Sequence, residues 1–157
     1  MEDDVLLRPE VTQTRGLFSL MCRVKIGIQS QPARIWALLT DARNFPRWNS
    51  TVTSIEGEIR DGQQIRIHVP GADRAFTPFV SNVEPNAHMT WTGGFLPLFK
   101  GVRTFELTPH AGATRFVMQE CFSGLMLPII GRSLPDFGLV FERYATDLKR
   151  EAERVQA

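Results

Sequence analysis

The chain has 157 residues, 43% of them apolar and 22% charged, a length suited to one domain and a composition that excludes disorder and coiled coil. Its 18 basic and 17 acidic side chains leave a formal net charge of +1, which gives no overall electrostatic drive toward nucleic acid or an anionic membrane surface. The aromatics are lopsided, with 11 Phe and 3 Trp against 1 Tyr, so nearly all of the ring surface is apolar and fit for a core or a pocket wall.

Residues 1–12 open on the acidic run Met1-Glu2-Asp3-Asp4 and contain no apolar stretch of the kind a secretory signal needs. They read as a flexible or loosely attached segment of a single domain spanning 1–157. Over residues 17–29 the even positions Phe18, Leu20, Cys22, Val24, Ile26 and Ile28 are apolar, while the odd ones include Ser19, Arg23 and Lys25. That period of two predicts a long strand with one buried face. Ser30 offers an N-cap and Pro32 a first-turn residue before Ile35, Trp36, Leu38 and Leu39 at helical spacing. A second short helical turn falls within residues 41–49, around Phe45, Pro46 and Trp48.

Paired β segments follow. Residues 51–59 and 63–69 flank the hairpin signal Asp61-Gly62, residues 76–84 and 88–94 flank Pro85-Asn86-Ala87, and residues 101–108 and 114–122 flank a turn over 109–113. With the first strand this makes about seven, joined mostly as hairpins and therefore antiparallel. From residue 133 onward Leu134, Phe137, Phe141, Tyr144, Ala145, Leu148 and Ala152 recur at three and four, opposite Arg143, Asp147, Lys149, Arg150, Glu151 and Arg154. This is one long amphipathic helix, with Pro135 in its first turn. Gly138 marks either a passage beside a cavity, a kink or a close sheet contact. The layout is α+β, with the last helix covering an antiparallel sheet.

Strand parity selects the residues under that helix. Phe105 and Leu107 facing inward bring Arg103 with them; on the next strand Phe116, Met118 and Phe122 bring Glu120. A hairpin with Thr108 opposite Arg115 sets Phe105 opposite Met118 and Arg103 opposite Glu120. An Arg–Glu pair on the concave face either compensates itself near a cavity mouth and orients the strands, or anchors a ligand's polar end or serves acid–base chemistry. Trp91 shares a face with Met89, and the apolar connection Phe95-Leu96-Pro97-Leu98-Phe99 reads as an entrance gate with its Phe rings turned inward, or as core packed on the helix. Gly93, Gly94 and Gly101 would let it hinge. Trp36 and Phe45 read as core, and Trp48 as core or ligand contact. In the connection over residues 124–131, Met126, Leu127 and Ile130 either cap the cavity or form a sticky patch.

The segment Ile28-Gln29-Ser30-Gln31-Pro32-Ala33-Arg34-Ile35-Trp36-Ala37-Leu38-Leu39-Thr40-Asp41, the following Phe45-Pro46-Arg47-Trp48-Asn49 and the terminal helix over residues 137–153 resemble the SRPBCC or START-like helix-grip superfamily, which includes Bet v 1-like and polyketide cyclase/dehydrase-like domains. The resemblance implies a curved sheet of about seven strands wrapped on the terminal helix, two short helices after the first strand, and a cavity between sheet and helix. It implies binding of a hydrophobic or amphipathic small molecule, lipid-like or polyketide-like. The expected ligand contacts are Trp48, Trp91, Phe95 and Phe99; Arg103, Phe105, Met118, Glu120 and Phe122 on the sheet; and Leu134, Phe137 and Phe141 on the helix. Two other readings stand beside it: a cyclase/dehydrase-type enzyme using Glu120 and Arg103, and a co-chaperone-like interaction module reading a partner through residues 95–99.

Other chemistries lack their residues. Cys22 and Cys121 stand apart with no CxxC and read as reduced thiols. His68, His88 and His110 have no metal-ligand companions at useful spacing, and there is no G-x-S-x-G, P-loop or G-x-G-x-x-G. No metal and no cofactor is expected. No apolar run nears the ~20 residues of a membrane span, so membrane insertion is not expected, nor a nucleic-acid partner. The expectation is a cytoplasmic monomer or homodimer.

Overall fold

A computed structural model describes residues 8–132 and 134–154. In chain order the elements are strands β1 (Glu10–Arg15) and β2 (Ser19–Ile28), helices α1 (Pro32–Thr40) and α2 (Phe45–Trp48), then β3 (Ser54–Glu56) and β4 (Arg66–His68). Strands β5 (Phe79–Glu84), β6 (His88–Phe95), β7 (Phe99–His110) and β8 (Ala113–Ser123) follow, and α3 (Leu127–Ile130) and α4 (Phe137–Ala152) complete the set. Six strands form one sheet in the order β1-β2-β8-β7-β6-β5, with β3 and β4 pairing apart from it. All the ladders are antiparallel, and α4 lies across the sheet against β2 and β1. This is the helix-grip arrangement.

The register of the β7–β8 hairpin is the one parity requires: Phe105 faces Met118, Leu107 faces Phe116 and Arg103 faces Glu120. Six positions differ from expectation. The domain begins earlier than residue 13, because Glu10–Arg15 is an edge strand whose Val11 and Gln13 pair with Val24 and Cys22; residues 1–7 lie outside the described residues. That edge strand brings the count among the described residues to eight, six in one sheet and two in another. Helix α1 is preceded by Gln31, with no side-chain cap from Ser30. The expected five-residue turn at 109–113 is a two-residue hairpin in which His110 pairs with Ala113. Helix α4 starts later than residue 133, because the Asp136 carboxylate caps it by accepting from the amides of Gly138 and Leu139, which leaves Pro135 before the cap; Ser133 lies outside the described residues. Finally, α3 gives a helical turn to a stretch read as connection.

One continuous core joins the concave sheet face to α1, α2 and α4, with Ile28, Ile35, Leu39, Phe45, Phe105, Phe116 and Phe141 fully buried. The carboxy-terminal half of α4 is fastened by polar contacts. Arg34 of α1 donates to the carbonyls of Ala152 at 2.7 Å and Glu151 at 3.2 Å, serving the acceptors a helix end leaves open. Lys149 donates to the Gly27 carbonyl at 2.8 Å, and Arg47 pairs with Glu151 at 2.6 Å. Asp147, assigned by pattern to the solvated face, is 5% exposed because it accepts from the amide and hydroxyl of Ser50.

Two consequences can be measured. Ala111 and Gly112 both take left-handed backbone, with φ of 49° and 81°, a conformation that strains alanine. Ala111→Asn is expected to raise unfolding stability by about 0.5–1 kcal/mol in urea titration, and no gain would refute the strain. The Arg47 hydrogen bond, with help from Arg154, holds the Glu151 carboxyl below the usual carboxylate range. A carboxyl lowered by folding adds stability above its unfolded pKa and loses it as pH falls through the folded value. The stability gap between wild type and Arg47→Ala should therefore shrink between about pH 5 and pH 3; a constant gap would exclude the ion pair as its source.

Candidate functional site

Across the sheet, one row of register partners runs Trp91, Arg103, Glu120, Cys22, Gln13, from β6 to the β1 edge. Parity points this row at α4. Its centre is the Arg103–Glu120 ion pair, joined through the guanidinium Nε, with the two side chains only 19% and 13% exposed. The Arg103 guanidinium also lies 5.1 Å from the centre of the Phe141 ring and 6.0 Å from that of Tyr144, so both rings help to neutralise a charge that has lost most of its water.

Around the pair the rings are closely packed. Trp91 and Phe105 lie 4.6 Å apart, Phe105 and Tyr144 6.3 Å, and Tyr144 and Phe116 6.5 Å. Rings spread around a hollow were expected, whereas these pack on one another. Two donors in this packing, Trp91 Nε1 and the Tyr144 hydroxyl, are buried without a hydrogen-bond partner among the described residues. Burial pushes the Tyr144 hydroxyl far above the usual phenol range, with Arg103 pulling the other way. Burial likewise pushes the Cys22 thiol up to about 11, against the opposing pull of Arg103, which marks it as an unreactive core thiol.

Open space lies at the amino-terminal end of α4. A cleft of about 270 Å³ is bounded by Gln13 and Arg15 of β1, Leu20 of β2, and Gly131, Leu134, Pro135, Asp136 and Phe137 of the α3–α4 connection and helix start. Gly138 sits at its back: a Cβ there would overlap the Gln13 side chain, so this glycine marks a close contact between helix and β1. Of the cleft residues, Leu20, Leu134 and Phe137 belong to a second apolar cluster that continues behind them into Phe122, Leu127 and Phe99. The Phe122 ring is 4.9 Å from Phe137 and 5.6 Å from Phe99. A Cβ on Gly101 would meet both the Phe122 ring, at 3.1 Å, and Glu120 Oε1, at 3.3 Å. One layer of rings therefore separates the cleft from the charge pair.

The expected contact residues fall into three groups. Trp91, Arg103, Phe105, Met118, Glu120 and Phe141 meet beneath α4. Leu134 and Phe137 line the cleft, with Phe99 and Phe122 in the cluster behind them. Trp48 belongs elsewhere, buried against Phe45 at 4.8 Å. Phe95 does not turn inward: residues 95–99 are the tip of the β6–β7 hairpin, with Phe95 paired to Phe99 and its ring facing solvent. Gly94 is needed for tight closure there rather than for hinging, since a Cβ would overlap the Phe99 carbonyl oxygen. Sequence reasoning missed Gln13, Arg15 and Leu20 as cleft residues; Leu20 carried the signal, since it shares the inward parity of Cys22. The described residues hold no cluster of His, Cys, Asp and Glu able to bind a metal, and no helix among them is long and apolar enough to cross a membrane.

A family model described as polyketide cyclase/dehydrase and lipid transport matches residues 21–156. No curated protein matches. Among solved structures, Ms6760 from Mycobacterium smegmatis is similar at a TM-score of 0.71 and 14% identity, covering 94% of this chain and 100% of that one. CalU16 from Micromonospora echinospora is similar at 0.67 and 13%, covering 95% and 86%. DynU16, from the dynemicin biosynthetic locus, is similar at 0.66 and 21%; the match covers 85% of this chain but 47% of that one. At these identities the likeness is one of fold.

Removing one member of the Arg103–Glu120 pair leaves the other charge under the helix without a partner. Arg103→Met or Glu120→Leu alone should cost about 3 kcal/mol, the low end for buried pairs because some solvent access remains. The double variant should recover most of that loss. Additive losses in urea titration would show that the charges do not depend on each other.

Proposed function

This chain belongs to the polyketide cyclase/dehydrase and lipid transport family, and we propose that it binds a small hydrophobic or amphipathic molecule at the amino-terminal end of α4. The observation that carries this reading is the cleft itself. It is walled by apolar side chains and by the polar Gln13, Arg15 and Asp136, and it backs onto the ring layer in front of Arg103 and Glu120. A binding site of this kind combines an apolar wall with a few polar groups that fix orientation.

Size decides how much of a ligand it takes. At about 270 Å³ the cleft is at or below the small end of ligand sites, which span roughly 300–1,000 Å³. It holds a ring or a head group as it stands. A longer molecule needs the Phe122 and Phe137 rings to swing aside, which would bring its leading end to the charge pair and to the unpartnered donors of Trp91 and Tyr144. Binding is favoured over catalysis by Glu120, because that carboxylate already faces a guanidinium. The histidines offer it no proton relay: His68 lies on β4, His88 pairs with Glu84 at 3.0 Å, and His110 closes the β7–β8 turn.

Native mass spectrometry of freshly purified protein should show a bound apolar compound. A panel of fatty acids and fused-ring phenols should raise the melting temperature. Leu134→Trp, which fills the cleft, should abolish both signals while the circular dichroism spectrum stays the same. Absence of any bound mass and of any stabilising compound would refute the site, as would a Leu134→Trp variant that binds like wild type.

A further inference from the structure

Three loops meet beside the cleft, stitched together by backbone hydrogen bonds. The Gly124 amide donates to Phe18 at 3.1 Å, Leu125 to Pro97 at 2.9 Å and Met126 to Leu98 at 2.9 Å. Each loop turns apolar side chains to solvent. Leu17 and Phe18 stand on the β1–β2 turn, at 71% and 46% exposure; Phe95 and Leu96 on the β6–β7 tip, at 67% and 58%; and Leu125 and Ile129 around α3, at 58% and 70%. Scattered exposed leucines are ordinary, but large apolar residues on three mutually bonded tips form a contiguous patch of the kind that marks an interaction site.

The charge around the patch is one-sided. Residues 15–18, 94–100 and 124–132 contain Arg15, Lys100 and Arg132 and no Asp or Glu. None of the three cations forms an ion pair with a described residue, and Arg15 and Arg132 are exposed. The net charge of +1 therefore hides a local cationic rim. The nearest carboxylates along the chain, Asp136 and Glu120, are already engaged, the first in capping α4 and the second in pairing with Arg103.

We propose that this three-loop face docks the protein, peripherally, on an anionic lipid surface, with the Leu and Phe tips entering the interfacial layer and the Arg and Lys side chains meeting the head groups. The patch is a set of separate projecting tips rather than a groove for a helix or strand, and its rim of cations without carboxylates complements a uniformly negative plane. The closed backbone bonds between the tips spare unpaired amides from a poorly hydrated layer. Docking needs neither the cleft nor its ligand, so it stands or falls separately from the reading above.

The test is co-sedimentation of the full chain with vesicles of phosphatidylcholine containing about one quarter phosphatidylglycerol, beside pure phosphatidylcholine. Binding should need the anionic lipid and weaken at about 0.5 M salt. Phe95→Ser with Leu96→Ser should lower partitioning about tenfold, as should Lys100→Glu with Arg132→Glu. Phe76→Ser, which alters an exposed apolar residue on a different loop, should leave it unchanged. The substituted tips are exposed, so unaltered circular dichroism should confirm folding. No vesicle binding, equal loss with Phe76→Ser, or a dimer in sedimentation velocity that dissociates in the Phe95/Leu96 variant would each overturn the proposal, the last by assigning the face to a second copy.

Discussion

The only tyrosine of the chain is where its layers meet. Tyr144, on the buried face of α4, has its ring centre 6.1 Å from both Phe45 and Trp48 of α2 and 6.3 and 6.5 Å from Phe105 and Phe116 on the sheet. It thus ties the short helices to the sheet through the long helix, and Arg103 lies over its face. Packing of this kind fixes the height of α4 above the sheet, because rings at native density leave no room to slide. It also accounts for the Arg103–Glu120 pair: charges so close to the core keep their favourable state only through each other and through the ring faces that enclose them.

Much of the fold was legible because its signals are local. Alternation of apolar residues over β2, β7 and β8 determines which face of each strand is inward. Once the β7–β8 register is known, Arg103 and Glu120 must meet. What escaped was decided by partners distant in the chain. Glu10–Arg15 has β-branched residues at Val11, Thr12 and Thr14 but no alternating apolar face, and it is exposed over most of its length; it pairs where β2 offers an open edge. Asp147 looks like a surface residue until Ser50, far away in sequence, supplies its donors. The tight turn at Ala111-Gly112 was concealed because alanine is a poor marker for left-handed backbone.

The candidate site was legible in part for the same reason. Parity finds the residues of the concave face, yet it says nothing of how full the space above them is, and that depends on ring sizes contributed by five separate elements. The phenyl excess therefore pointed to a hollow where the structure has packed rings. The cleft arises instead from an edge: β1 ends at Arg15, α4 begins only after its Asp136 cap, and the connection between α3 and α4 does not close the gap. Phe95 faces solvent because hairpin pairing with Phe99 places it on the tip, a geometry that an apolar five-residue run does not announce.

The two ends of α4 are held by different physics, and this asymmetry gives the molecule a direction. At the carboxy-terminal end, Arg34, Arg47 and Lys149 clamp helix carbonyls and carboxylates with specific, directional bonds. At the amino-terminal end the helix rests on Phe122 and the Gln13 side chain, with the Asp136 cap internal to its own turn. Apolar contacts are non-directional, whereas a directional hydrogen bond is lost by a small displacement. The amino-terminal end of α4 is thus the less firmly fastened of the two. That is the end where the cleft, the exposed apolar tips and Arg15, Lys100 and Arg132 lie together.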